Sequence, residues 1–312
     1  MATKKSKSSK KPTKVNTTKP KSAAKTAKKP ELEAPKTEKV EKTEVKKSCF
    51  KGFFARKYEE KESILTVFKN PKFYGALLGE VFGTMLIALL IFSLWPIGLA
   101  WGQYSNANIA IYALAVIAII ASVYALSGAC LNPLVTVGMM STRRMSVIRG
   151  IMYIIAEIIG AWFGWLVINA FHLAGGETAM DAPAMAAIGE NGFWIVTMVE
   201  LVGAIIIGFF FARALNFKRS VFTFAAVATG GILLAYIVGF IVSAAYLGLN
   251  NNFVMNPSVA LMLQIFPTQG EGFGEILGGI CQALSIYAIF PMIGGVVGFY
   301  LSDFIGRLAD EK

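Results

Sequence analysis

The sequence predicts an all-α membrane protein: six transmembrane helices plus two re-entrant half-helices, arranged as two inverted three-helix repeats. Three observations carry this. Apolar runs long enough to cross a bilayer recur six times; two Asn-Pro motifs sit inside further, shorter apolar stretches; and the residues around those motifs repeat along the chain. With 55% hydrophobic residues and a mean hydropathy of +0.58, the composition is that of a polytopic membrane protein and excludes a soluble fold.

Residues 1–62 stand apart from this pattern. They hold 20 Lys and Arg against 8 acidic residues, while residues 63–312 hold 10 against 11, so all the excess positive charge lies in the tail. Almost no large apolar side chain precedes Phe50, so the segment cannot bury enough surface to offset chain entropy. A disordered, Lys-rich cytoplasmic tail is expected over 1–62, followed by a membrane domain over 63–312. The tail lacks the apolar stretch and cleavage site of a secretory signal. It is expected to be a solvated segment marking the cytoplasmic side; contact with anionic lipids or with nucleic acid is the functional alternative. Cys49, beside Phe50, Phe53 and Phe54, is expected to be an unmodified thiol, with an acyl chain as the alternative. Cys49, Cys130 and Cys281 form neither a disulfide framework nor a metal-ligand spacing.

The predicted spans are Phe73–Trp95, Ile109–Leu126, Val147–Phe171, Phe193–Ala212, Val221–Leu247 and Ile276–Leu301. Arg143, Arg144 and Arg149 follow the second span, and Arg213, Lys218 and Arg219 the fourth. Glu177, Asp181 and Glu190 follow the third, and Glu271 and Glu275 precede the sixth. Basic loops therefore alternate with acidic or neutral ones, which predicts a multi-pass cell-membrane protein with both termini in the cytoplasm.

Each half-helix is predicted from its first residues. Asn132 is a good N-cap and Pro133 suits the first helical position, where its missing N–H costs nothing. The apolar stretch from Asn132 to the arginine pair is 11 residues, as is that from Asn256 to Phe266. At about 1.5 Å per residue each would reach roughly 16 Å, half the hydrocarbon core. A third such dipeptide, Asn70-Pro71, is expected only to cap the first span.

The halves repeat. Glu80-Val-Phe-Gly83 is echoed by Glu200-Leu-Val-Gly203, Asn132-Pro133 by Asn256-Pro257, and Gly160 with Gly164 by Gly294 with Gly298, at offsets of 120, 124 and 134 residues. Repeat one covers about 73–171 and repeat two about 193–303. Three spans per half is an odd number, so the second copy is inverted and the two half-helix N-termini meet near the midplane.

Those N-termini carry roughly +0.5 charge each, so they repel cations while the amides of Asn132 and Asn256 can donate to a neutral solute. Glu80 and Glu200 lie deep in spans, where an unpaired charge costs several kcal/mol. They are expected to accept from the backbone N–H groups of the loops entering the half-helices; a proton relay is the alternative. Gly79, Gly83, Gly160, Gly164, Gly203, Gly230, Gly231, Gly294, Gly295 and Gly298 fit close helix crossings. Glu157 and His172 are expected at the membrane interface. No metalloprotease motif, phosphate loop or catalytic triad is present, so an enzyme is not expected, nor any cofactor or metal.

These residues resemble the major intrinsic protein family, the aquaporins and glycerol facilitators, over about residues 73–303. The resemblance rests on Glu80-x-x-Gly83-Thr84, on Ser127-Gly-Ala-Cys-Leu-Asn-Pro-Leu-Val-Thr136, and on the second Asn-Pro. It implies a narrow pore in each subunit, passive flux of water or small neutral solutes through the bilayer, and a homotetramer. The family's Asn-Pro-Ala becomes Asn132-Pro133-Leu134 and Asn256-Pro257-Ser258 here, and Cys130 stands where a histidine is common. By the same resemblance the selectivity filter is Tyr112, 20 residues before Asn132, with Phe253, with Val259 in the place of the usual arginine, and with Phe240 or Ala244 as fourth member. Ala260 stands where glycerol facilitators carry aspartate.

A channel for water, small neutral solutes or both is therefore expected, with an apolar filter lacking the arginine. The alternatives are a glycerol-type facilitator, an inverted-repeat secondary transporter using Glu80, Glu200 or Glu157, and a scaffold acting through the tail.

Overall fold

The computed structural model describes residues 64–94, 106–176, 190–216, 220–246, 253–264 and 273–310. The basic tail with Cys49, the loop acids Glu177, Asp181 and Glu271, and Phe266 lie outside the described residues. A short helix α1 (Ile64–Lys69) leads into α2 (Pro71–Leu94), followed by α3 (Asn106–Ser127), α4 (Pro133–Ser141), α5 (Val147–Ala174), α6 (Glu190–Asn216), α7 (Val221–Tyr246), α8 (Pro257–Gln264), α9 (Phe273–Leu284) and α10 (Phe290–Asp310). Asn70 caps α2, accepting the Lys72 N–H at 3.0 Å. Among the described residues, six segments are long and apolar enough to span a bilayer: α2, α3, α5, α6, α7 and the continuous stretch of α9 and α10.

That last span departs from a simple helix. Between α9 and α10 the chain makes a π-helical turn, Ser285–Ile289. Pro291 explains it: proline has no N–H for the carbonyl of Tyr287 and its ring crowds that oxygen, so the helix widens one turn earlier. With 9 and 8 residues, α4 and α8 are too short to cross. The architecture is six transmembrane helices plus two half-helices, all α among the described residues.

The tightest packing follows the repeat. Helix α2 lies against α5 and α6 against α10, and glycines let these backbones touch. A methyl group on Gly160 would strike the Val81 carbonyl, and one on Gly294 the Leu201 carbonyl; Gly164 faces Met85 and Gly298 faces Ile205 in the same way. Val81 and Leu201, like Met85 and Ile205, are matched positions 120 residues apart. Of the glycines picked out in the sequence, Gly230 differs: a Cβ there would meet nothing within 4 Å.

The C-terminal end of α4 is latched to α10. Arg144 donates to both carboxyl oxygens of Asp303, at 2.7 and 3.1 Å, and its guanidinium lies 5.7 Å from the centre of the Phe299 ring. The Tyr300 hydroxyl donates to the Ser141 carbonyl at 2.7 Å.

Candidate functional site

Each half-helix is preceded by irregular backbone, which at membrane depth is stable only if its polar groups find partners inside the protein. In the first half Asn132 is the N-cap of α4, with an extended backbone and its Oδ1 accepting from the Leu134 N–H at 3.1 Å. Just before it Ala129 and Leu131 have φ of 53° and 52°, and in the second half Met255 has φ 52°. Leu131 and Met255 are the residues immediately preceding the two asparagines. Non-glycine residues in this left-handed region cost about 1–3 kcal/mol each, so the surroundings must hold them there.

Two buried carboxyl groups do so. Glu80 accepts from the N–H groups of Cys130 and Leu131 at 3.1 and 2.7 Å. Glu200 accepts from Val254 at 2.6 Å and from Met255 at 3.0 Å. Neither glutamate has any exposed surface. The side chains of Leu131 and Met255 rest on Gly83 and Gly203, the glycines three residues beyond each glutamate.

The asparagines then tie the halves together. Asn132 Nδ2 donates to the Met255 carbonyl at 2.9 Å, and Asn256 Nδ2 to the Leu131 carbonyl at 3.1 Å. Ser258 donates its hydroxyl to Asn256 Oδ1 at 2.8 Å. Each amide thus spends one N–H on the opposite repeat and keeps a second.

Beside them lies a cavity with about 30 Å³ open to the centre of a water molecule, room for roughly two waters at ~10–15 Å³ each. Its walls are largely apolar, from Ile87, Ile91, Val116, Ile207 and Ile232. Its polar features are Asn132, Asn256, Tyr112 and Tyr236, next to the backbone of Val254 and Met255. Tyr236 donates its hydroxyl to the Val254 carbonyl at 2.6 Å and stands against the Phe253 ring, with centroids 5.7 Å apart.

The sequence-predicted site residues divide accordingly. Asn132, Asn256 and Tyr112 share the cavity. Pro133 and Leu134 in α4, and Pro257, Ser258 and Val259 in α8, are buried in the first turns of the half-helices. Phe253, Val259 and Phe240 do not border this cavity; Phe253 is buried behind Tyr236, and Phe240 packs partly buried on the core. Ala244 falls within α7, its side chain outside the described part of the structure. Tyr236 went unnoticed in the sequence, yet it stands 20 residues before Asn256, just as Tyr112 stands 20 before Asn132. Glu157, expected at the interface, is instead fully buried and accepts from the Thr136 hydroxyl of α4 at 2.6 Å. A polar residue one turn into α4 gave that glutamate a partner. Cys130 is buried with a free thiol, and His172 lies in the last turn of α5.

The profile of the major intrinsic protein family matches residues 67–301. Among curated proteins the chain is similar to Aquaporin-4 of Notomys alexis, at 28% identity over 260 residues covering 78% of this chain and 72% of that protein. It is also similar to the probable aquaporin AqpM of Archaeoglobus fulgidus, at 27% identity over 198 residues covering 63% and 74%. Among solved structures it resembles the aquaglyceroporin from Plasmodium falciparum with a TM-score of 0.53 and 19% identity, covering 77% of this chain and 100% of that one, a likeness of fold alone. With a profile match over most of its length, six spans and paired half-helices, the chain belongs to the major intrinsic protein family: it is a multi-pass membrane channel, not an enzyme.

Proposed function

We propose that the channel conducts water, small neutral solutes or both, passively, between the two half-helices. The observation that carries this reading is the cross-bonded asparagine pair facing a cavity of about two waters in an otherwise apolar wall. An apolar wall binds a permeant weakly, and the few donors at its centre orient an oxygen without trapping it. Two half-helix N-termini at the same place oppose cations. With Val259 where the family carries arginine, the lumen has no fixed positive charge from that position.

The transporter alternative is disfavoured by how the carboxyl groups are used. Glu80 and Glu200 are occupied by loop N–H groups, Glu157 accepts from Thr136 on Oε1 while its Oε2 is buried without a hydrogen-bond partner, and none of the three borders the cavity. A homotetramer in the cell membrane with both termini cytoplasmic completes the reading. The outward apolar residues Ile151, Ile155, Ile159 and Trp162 of α5 fit a lipid or subunit contact.

The test is stopped-flow light scattering on proteoliposomes. Shrinkage in a sucrose gradient well above that of empty liposomes is expected; rates equal to empty liposomes for both water and glycerol would overturn the passive-channel reading.

A further inference from the structure

We infer that Tyr236 sets the size limit of the lumen, holding the chamber beside the asparagines to water and excluding polyols such as glycerol. The inference rests on the channel reading above and narrows it to one permeant class. Three features of Tyr236 carry it.

The ring is pinned. Its hydroxyl donates to the Val254 carbonyl at 2.6 Å, and the ring stands against Phe253, itself buried. The carbonyl it holds belongs to the same strap whose N–H groups are held by Glu200, at Val254 and Met255. A side chain fixed to a fixed backbone does not swing aside easily for a larger solute.

Tyr236 also changes what the chamber offers chemically. The Met255 and Leu131 carbonyls are taken by the asparagines and the Val254 carbonyl by Tyr236. What remains are the second N–H of each asparagine as donor and, as acceptors, the phenol oxygen of Tyr236, its own proton spent, and the second lone pairs of those carbonyls, with the Tyr112 hydroxyl also on the wall. One donor side and one acceptor side suit a molecule the size of water. A polyol carries several hydroxyl groups on a carbon chain, and the isoleucine walls leave its further hydroxyls without partners.

Finally, the space is small. With room for roughly two waters at this point, a six-heavy-atom solute has to press against the pinned ring to pass. Tyr112 and Tyr236 occupy matched places in the repeat, so the aromatic constriction stands at the asparagines. It does not depend on the buried Val259.

The experiment compares water and glycerol flux in proteoliposomes for wild type, Tyr236→Val and Tyr236→Phe, each first shown to be folded by size-exclusion profile and circular dichroism. Wild type is expected to pass water and exclude glycerol. Tyr236→Val should keep water flux and gain glycerol flux by about tenfold or more, because pore diameter dominates this kind of selection. Tyr236→Phe keeps the ring but loses the pinning hydroxyl, and should pass water while admitting glycerol at a rate between those of wild type and Tyr236→Val. Glycerol flux in the wild type, or continued exclusion by folded Tyr236→Val while water passes, overturns the assignment of Tyr236 and leaves the channel reading intact. Water flux that appears only in Tyr236→Val also overturns it, making the residue a plug. Absence of water flux in all three overturns the channel reading itself, and this inference with it.

Discussion

Replacing Glu200 with glutamine tests how the half-helices are held. Glu200 uses both oxygens: Oε1 accepts from Val254 at 2.6 Å and Oε2 from Met255 at 3.0 Å. Glutamine has one acceptor oxygen; with its amide nitrogen in the place of Oε2, the Met255 N–H faces a second donor and keeps only its longer contact to Oε1, 3.2 Å in the native protein. That costs about 1–3 kcal/mol. Met255 is in addition held at φ 52° by this contact, and its carbonyl anchors Asn132 of the other repeat. Glu200→Gln is therefore expected to lower the thermal unfolding midpoint of the detergent-purified protein by several degrees, and to reduce the folded yield. Glu80→Gln should act in the same direction through Cys130 and Leu131. The double variant should cost less than the sum, because the two sites meet in the crossed asparagine bonds. Wild-type stability in both single variants would refute the strap. A well-folded Glu200→Gln protein that had lost a pH-dependent uptake would instead return the secondary transporter to consideration.

Other outcomes follow from the same contacts. Asp303→Asn leaves the Arg144 guanidinium without its paired carboxyl in a site where the two side chains are 11% and 6% exposed, and should destabilise by about 3 kcal/mol; thermal unfolding in detergent measures it. Gly298→Ala drives a methyl into the Ile205 carbonyl across the α6–α10 contact and should cost about 1–3 kcal/mol, whereas Gly75→Ala, with nothing within 4 Å, should be neutral or stabilise by up to ~1 kcal/mol. Equal melting temperatures for the two would show that the close crossing is not required. Val259→Arg places a long cation where Val259 has no exposed surface, and is expected to lose folded protein rather than to restore a filter; a stable variant with sharper exclusion of glycerol would contradict this.

The legibility of this protein in its sequence has a physical origin. A bilayer imposes length, so each span announces itself as an apolar run, and observed helices such as α5 (Val147–Ala174) differ from expectation by only a few residues at their ends. The half-helices were readable because a cap and a proline mark a helix start locally, whatever surrounds them. Inversion followed from counting three spans per repeat. Glu80 and Glu200 needed only the argument that a buried carboxyl must have donors, and the loop N–H groups were the donors at hand.

What only the tertiary structure decided was distance across the repeat boundary. The crossed bonds between Asn132 and Met255, and between Asn256 and Leu131, join residues more than 120 positions apart, and no local pattern states such a pairing. The burial of Glu157 depended on Thr136, which another helix supplies. The lining of the cavity depended on which face of α7 turned inward: Tyr236 and Ile232 border it while Phe240, one turn further on, packs on the core. The mean apolar character of α7 is nearly uniform around its axis, because one side meets lipid and the other meets protein, and both favour the same residues. In a membrane helix hydropathy alone therefore fixes depth and length, while the rotation that chooses the pore-lining side chain is set by contacts.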